Sequence, residues 1–303
     1  MIFGPVGSLY DGTSPSNNKA GDTSLMRFTT LAASLAAALL LGACGSTAPI
    51  SPADVGELRP GSGYLKGYLP AAELPDSLAL LPAPPAEGSA ALAADGATFR
   101  ALTALQGTPR GALAVQDANL KFPKAAEVFS CALGMPISEQ ATPNLNMLLR
   151  RTLADAGSAT YKAKNTYNRT RPFVAFKTGS CTPAEEASLA KDGSYPSGHS
   201  AVGWAWALVL TELAPERADA LLQRGRAFSQ SRAICGVHWQ SDIENGRLVG
   251  AATVAKLHTN PVFQAQMTSA RSEIAKARAA GAVPTQDCGA EAKALATSAL
   301  IAP

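Results

Sequence analysis

Between His199 and Leu213 the chain reads HSAVGWAWALVLTEL, apolar on almost every side of a helical wheel. A helix without a polar face must be covered all round, so this segment belongs at the centre of a domain with other helices packed about it. The neighbouring sequence supplies them. Thr142-Pro143 reads as an N-cap with proline in the first turn, and Leu145, Leu148, Leu149 and Leu153 recur on one face behind it. A second helix is expected to hold Lys162 to Tyr167. Ala214-Pro215 closes the central helix, and Pro215 opens one that carries Ala220, Leu221, Ala227 and Phe228 up to Ser231-Arg232. Ser241 with Glu244 reads as a capping box opening a helix to about Leu257, and Asn260-Pro261 caps another to about Ala280. Leu81-Pro82-Ala83-Pro84-Pro85 cannot be helical throughout and reads as an extended arm on the domain. Helix signals accumulate after about Ser89 and strand signals do not, so the fold class is all-α, in a single domain.

The start of the chain has a different character. Met26-Arg27 precedes an apolar run from Phe28 to Leu41, the charged and hydrophobic regions of a secretory signal and too short to span a bilayer. Leu41-Gly42-Ala43-Cys44 resembles a lipobox, in which cysteine becomes a lipidated N-terminus. The expected organisation is an extension at 1–25 preceding the true start, a signal peptide at 26–43, a lipidated Cys44 with a flexible linker to residue 63, and a folded domain at 64–303. An exported, periplasmic protein held by a lipid anchor follows. Export places Cys131, Cys181, Cys235 and Cys288 in an oxidising compartment, so one or two disulfides are expected, with three full pairings open. The net charge of +3 is scattered and survives removal of residues 1–43. It argues against a nucleic-acid polymer as partner. With 47% hydrophobic and 16% charged residues, the chain can build a sizeable core.

Three islands carry the chemistry: Lys164 with Arg171-Pro172, then Pro196-Ser197-Gly198-His199, then Ser231-Arg232 with His238 and Asp242. A phosphate is held by guanidinium forks, a lysine point charge and N–H groups at a helix start. Arg171, Arg232, Lys164 and the turn Ser197-Gly198-His199 offer all three, and Gly198 lets the backbone approach an anion closely. The spacing of His238 and Asp242 allows a carboxylate to hold one ring nitrogen protonated and aim the other. No His-x3-His pair, looped aspartate pair or Cys-x2-Cys suggests a metal. His258 reads as structural, and Trp204, Trp206 and Trp239 as core or pocket wall. Asp155, Asp192 and the pair Glu185-Glu186 have two readings, near the mouth of the site or on solvated surface, and solvated surface is the better one.

As K-x6-R-P, P-S-G-H and S-R-x5-H-x3-D, the islands resemble the signature of the type 2 phosphatidic acid phosphatase superfamily. Lys162-Ala163-Lys164, Arg169-Thr170-Arg171-Pro172-Phe173, Gly193 to His199 and Ile234 to Asp242 are similar to the bacterial class A non-specific acid phosphatases. The resemblance runs at lower specificity from roughly Leu74 to Ala280. It implies a compact helical bundle and a metal-independent, cofactor-free phosphatase acting on a broad range of small phosphate monoesters. It further implies His238 as nucleophile, held by Asp242, with His199 as general acid. Lys164, Arg171, Ser197, Gly198 and Arg232 would bind the phosphate. A homo-oligomer is implied by analogy only. The below-neutral protonation of His199 would suit an acid optimum.

Rival readings differ in chemistry. A vanadium-dependent haloperoxidase shares the islands, since vanadate mimics a pentacoordinate phosphate. An integral lipid phosphatase would need apolar runs of about 18 residues that are missing after the signal. A lipoprotein that only binds phosphate is the non-enzymatic alternative.

Overall fold

The computed structural model describes residues 48–299. The extension 1–25, the signal 26–43 and Cys44 lie outside the described residues. The longer helices are α1 (Ala90–Thr103), α2 (Pro109–Asp117), α3 (Pro143–Ala159), α4 (Tyr161–Tyr167), α5 (Gly198–Leu213), α6 (Ala218–Ile234), α7 (Gln240–Leu257), α8 (Pro261–Ala279) and α9 (Cys288–Ala299). Short helical turns join them. The one β feature among the described residues is an antiparallel bridge between Glu57 and Leu65.

Helix α5 is the axis of the bundle, packed against α3, α6 and α7. Trp206, fully buried, donates from Nε1 to the Leu149 carbonyl of α3 at 2.8 Å. Phe122, Phe129 and Phe228 surround its ring. Each such side chain contributes roughly 1.5–3 kcal/mol of burial. The approach of α7 to α5 depends on absent side chains. A Cβ at Gly246 would overlap the Ser197 carbonyl, and one at Gly250 the Ala201 carbonyl. This contact brings the start of α7 to the start of α5, where the Ser197 N–H donates to the Asp242 carbonyl at 2.9 Å.

Two helix starts are capped differently from the sequence expectation. Thr142 hydrogen-bonds Ser138, and the first N–H groups of α3, at Asn144 and Leu145, instead reach the Glu273 carboxylate of α8. Ser241 lies inside α7, where its Oγ donates to Asp95, and Glu244 accepts from Gln240. The carboxylate serving the Trp239 N–H is that of Asp242, at 2.9 Å. Glu273 reaches the start of α3 through helix packing, as Asp95 reaches the Ser241 N–H, whereas Asp242 serves Trp239 from three residues on. At α8, Asn260 Oδ1 accepts from Val262 and Phe263 N–H as expected.

The segment expected to be flexible up to residue 63 is built into the domain in its described part. Ser51 caps a helical turn at Pro52–Val55, and the Glu57 carboxylate accepts from the Gly61 and Gly63 N–H groups. Immediately after it, the buried Asp155 carboxylate accepts from the Tyr68 and Leu69 N–H groups, and Arg151 stacks 3.8 Å from the centre of the Tyr68 ring. Asp155 is therefore a core anchor rather than a surface carboxylate. The arm at Leu81–Pro85 is non-helical, and Tyr195 Oη donates to the Pro82 carbonyl at 2.8 Å. Two disulfides form, Cys131–Cys288 and Cys181–Cys235. The first ties α9 to the bundle; the second ties the loop before Asp192 to the C-terminal end of α6.

Candidate active site

The three islands converge because three helix ends meet. Helix α5 starts at Gly198, after a cis Tyr195–Pro196 peptide, and the Ser197 Oγ accepts from the Ser200 N–H at 3.2 Å. That cap leaves the Gly198 and His199 N–H groups without intrahelical partners, as at any helix start. Helix α6 ends in a turn where Gly236 takes φ 76°, a left-handed conformation suited to glycine. The turn is closed by the Val237 N–H on the Arg232 carbonyl at 3.1 Å, and it delivers His238 just before α7. Helix α4 supplies Lys164, and Arg171 precedes the helical turn Pro172–Ala175.

A cavity of about 240 Å³ is lined by Lys164, Arg171, Gly198, His199, Arg232 and His238. Ser197 and Asp242 stand behind this lining, supporting the helix start and the His238 ring. Asp192, together with Leu58, Arg59, Tyr64 and Tyr161, also lines the cavity.

His238 Nδ1 lies 3.3 Å from Asp242 Oδ2, and its Nε2 lies 3.1 Å from Arg171 Nη1. A guanidinium only donates, so Nε2 is the unprotonated acceptor and Nδ1–H faces the carboxylate. Burial, reinforced by Arg171, Lys164 and Arg232, holds the imidazole pKa well below its usual value, which keeps Nε2 unprotonated, its lone pair engaged by Arg171 Nη1. His199 Nε2 lies 2.9 Å from the Ala118 carbonyl. A carbonyl only accepts, so Nε2 carries hydrogen and Nδ1 is left for proton transfer. Burial and Arg232 push this imidazole well below its usual value too. The free site therefore holds His199 neutral, which corrects the expectation that mild acidity alone would protonate it.

The cations differ in how they are held. Lys164 is buried, donates to the Gly193 carbonyl at 2.6 Å, and has its pKa lowered to about 8 by burial, with Arg171 second. Arg171 is fully engaged: Nε to the Leu189 and Asp192 carbonyls, Nη1 to Val237 and His238, Nη2 to the Asp192 carboxylate at 3.0 Å. Arg232 is the opposite. It is completely buried, and among the described residues its Nε and Nη1 have no hydrogen-bond partner and its nearest carboxylate, Glu185, is 4.0 Å away.

Sequence reasoning missed several participants. Asp192, read as solvated surface, pairs with Arg171 and lies 3.6 Å from Lys164. Arg169, to which no role was assigned, bridges Asp242 and Asp95. Ser231 turns away to a buried network, its Oγ 2.5 Å from Asp117, which also pairs with Arg224. The usable signal was position, since Asp192 abuts Gly193-Ser194 and Arg169 sits two residues before Arg171. His258 stands apart from the site, paired with Glu212, and Trp206 and Trp239 are buried without lining the cavity.

Among the described residues, two histidines and four cations, Arg59, Lys164, Arg171 and Arg232, line this one cavity of a helical bundle, and residues 145–264 match the PAP2 superfamily. The chain is 44% identical to a non-specific acid phosphatase of Providencia stuartii over 246 residues, covering 80% of this chain and 98% of that one. It is 44% identical to a non-specific acid phosphatase of Salmonella typhimurium over 64% of this chain and 78% of that one. An acid phosphatase of Zymomonas mobilis is 41% identical over 69% of this chain and 79% of the relative. The chain belongs to the non-specific acid phosphatases of the PAP2 superfamily.

Proposed function

We propose that this protein is a metal-independent acid phosphatase that hydrolyses varied phosphate monoesters through a phosphohistidine at His238. The observation that carries the reading is Arg232, a fully buried guanidinium with two nitrogens unpartnered among the described residues, in the same cavity as His199 and His238. Leaving such donors unpaired is costly, and an anion in the cavity relieves the cost.

Phosphate oxygens would take hydrogen bonds from Arg232, Lys164 and the N–H groups at the start of α5, while Asp242 holds the His238 ring through Nδ1–H and Arg171 Nη2 pairs with Asp192. Arg171 Nη1 gives up its bond to His238 Nε2 for a phosphate oxygen, and the freed Nε2 lone pair attacks phosphorus as the bond to the leaving oxygen breaks. The ring becomes cationic, and the Asp242 carboxylate stabilises it through Nδ1–H. His199 donates from Nδ1 to the departing alkoxide. Nδ1 takes up that proton from solvent as the substrate binds, because an arriving anion offsets the burial and the field of Arg232 that together keep the free ring neutral. Water then attacks phosphorus, the P–N bond breaks, and His199 Nδ1 takes the water proton. The pre-placed cations stabilise charge spreading over the equatorial oxygens.

The assay is hydrolysis of p-nitrophenyl phosphate across pH in EDTA, followed by acid-quench trapping of labelled phosphate. Turnover persisting in chelator and label lost in His238→Ala are expected. Loss of turnover in EDTA, or label retained in the variant, would overturn the reading. Activity only with vanadate and peroxide would point to a haloperoxidase.

The setting we propose is the periplasm, with a lipid anchor at Cys44. The sequence from Met26 to Cys44 supports it, and so do the two disulfides. No helix among the described residues is long and apolar enough to cross a membrane. Palmitate labelling lost in Cys44→Ser tests the anchor. Self-association rests on the family resemblance, and light scattering tests it.

A further inference from the structure

A carboxylate stands where a phosphatase site gathers its cations. Asp192 Oδ2 is 3.0 Å from Arg171 Nη2 and 3.6 Å from Lys164 Nζ, and the residue lines the same cavity as His199, Arg232 and His238. Its side chain is 37% exposed, and Oδ1 has no hydrogen-bond partner among the described residues. The charged and titratable groups that face it are Lys164 from α4, Arg171 and, through its field, Tyr161, and it shares the cavity lining with Arg59, His199, Arg232 and His238.

An acceptor-only group beside an anion site discriminates between anions by their hydrogens. A fully ionised oxyanion presents only lone pairs to Asp192 and meets repulsion. A monoanion carrying one P–OH can turn that hydroxyl to Oδ1 and donate to it, while its other oxygens remain on Arg232, Lys164 and the helix start. The same logic makes an unpaired acceptor in a site a penalty against ligands that cannot satisfy it. We propose that Asp192 is a specificity-determining residue that selects the monoanionic form of a phosphate monoester by accepting its P–OH hydrogen. This rests on the phosphatase reading above and names the protonation state of its substrate. Phosphate monoesters lose their second proton near pH 6. Substrate selection of this kind would restrict turnover to the acid side by itself, independently of the histidines.

Sulfate is the control, because it has the shape of phosphate and no hydroxyl at working pH. Competitive inhibition of p-nitrophenyl phosphate hydrolysis is measured at about pH 5, where inorganic phosphate and the esters are monoanionic, for wild type, Asp192→Asn and Asp192→Ala. Wild type is expected to bind phosphate at least about tenfold more tightly than sulfate, the usual worth of one charge-assisted hydrogen bond. Asp192→Asn should bring the ratio close to one, chiefly by improving sulfate, and extend the alkaline limb of kcat/KM. If Asp192 only holds Arg171 in place, both anions weaken together in Asp192→Ala and the ratio stays put in both variants, which overturns the inference. A wild-type ratio near one overturns it as well. Absence of any hydrolysis by wild type would instead overturn the phosphatase reading.

Discussion

Arg169 Nη1 donates to Asp242 Oδ1 at 2.7 Å, on the oxygen opposite the one that faces His238. The carboxylate is fully buried, and burial raises its pKa while Arg169 pulls it back down. Its ionised state, on which the tautomer of His238 depends, is thus maintained by a guanidinium that does not line the cavity. Arg169 is itself clamped: Nη2 reaches Asp95 at 2.8 Å, Nη1 also reaches Ser241, and the plane lies 5.0 Å from the Trp239 ring centre.

Arg169→Met should therefore act twice. Removing one partner of a buried ion pair leaves uncompensated charge and costs about 3–5 kcal/mol of stability. Asp242, without its counterion, would take up a proton and cease to hold Nδ1–H, so kcat should fall by at least about a hundredfold with KM little changed. Arg169→Lys keeps the charge but cannot bridge both carboxylates, and should lie between. Urea midpoints and steady-state kinetics on the purified variants measure both effects, and an unaltered kcat in a folded Arg169→Met would refute the coupling.

The helices that were legible carried their information locally. The all-round apolar run at 199–213 and the Asn260-Pro261 cap could be read because their determinants lie within a few residues. The partners of the Leu145 and Ser241 N–H groups could not, since Glu273 and Asp95 lie more than a hundred residues away in sequence; the Asp242 carboxylate that serves the Trp239 N–H lies only three residues on. The site shows the same division. His238 and Asp242 were paired by spacing, although a turn rather than a continuous helix brings them together. Asp155 and Asp192 looked like surface charges because burial and cation proximity are tertiary properties. Glycines 246 and 250, which set the approach of α7 to α5, gave no sign of it in the sequence.

The two disulfides should separate stability from binding. Each closes a long loop, 157 residues for Cys131–Cys288 and 54 for Cys181–Cys235. Loss of either should cost roughly 2–5 kcal/mol. Only the second fastens the loop carrying Glu185, the Leu189 carbonyl and Asp192 to the end of α6, through the Cys181 N–H on the Cys235 carbonyl at 3.2 Å as well as the covalent bond. Paired Cys→Ser variants should both melt at lower temperature, but only Cys181→Ser/Cys235→Ser should raise KM, by roughly three- to tenfold. Equal KM values in the two variants would contradict the assigned role of the loop.

Asp155 should give stability a dependence on mild acidity. Burial pushes its carboxyl from 3.8 up to about 6, against the two backbone N–H groups and Arg151 that favour the anion. Because the folded pKa is raised, the folded state binds more protons between these values, and stability increases as pH falls. The contribution is complete below about pH 4 and lost as pH rises through about 6, an effect of roughly 2–3 kcal/mol. Asp155→Asn loses one acceptor for a backbone N–H at every pH but cannot titrate. The wild-type minus variant difference in unfolding free energy should therefore grow from pH 7 to pH 4, and a flat difference would rule this group out as a source of the slope.

Arg232 makes the sharpest separation between what the site costs the fold and what it does. Its guanidinium is completely buried, burial lowers its pKa to about 10, and among the described residues Nε and Nη1 lack partners, while Nη2 has only the half-exposed Glu185 carboxylate at 4.0 Å. Replacing a buried charge so weakly compensated by a side chain of similar length and no charge is commonly stabilising, here by about 1–2 kcal/mol. Arg232→Met should therefore melt a few degrees higher than wild type in phosphate-free buffer. Its response to ligand should run the other way. Inorganic phosphate at about 100 times its dissociation constant should stabilise the wild type by about 2.7 kcal/mol. The variant should show almost none of that shift and lose more than about a hundredfold in kcat/KM. Differential scanning fluorimetry with and without phosphate reads both signs in one experiment. A variant less stable than wild type, or one that phosphate stabilises as strongly, would mean that Arg232 is held by the fold rather than kept for the anion.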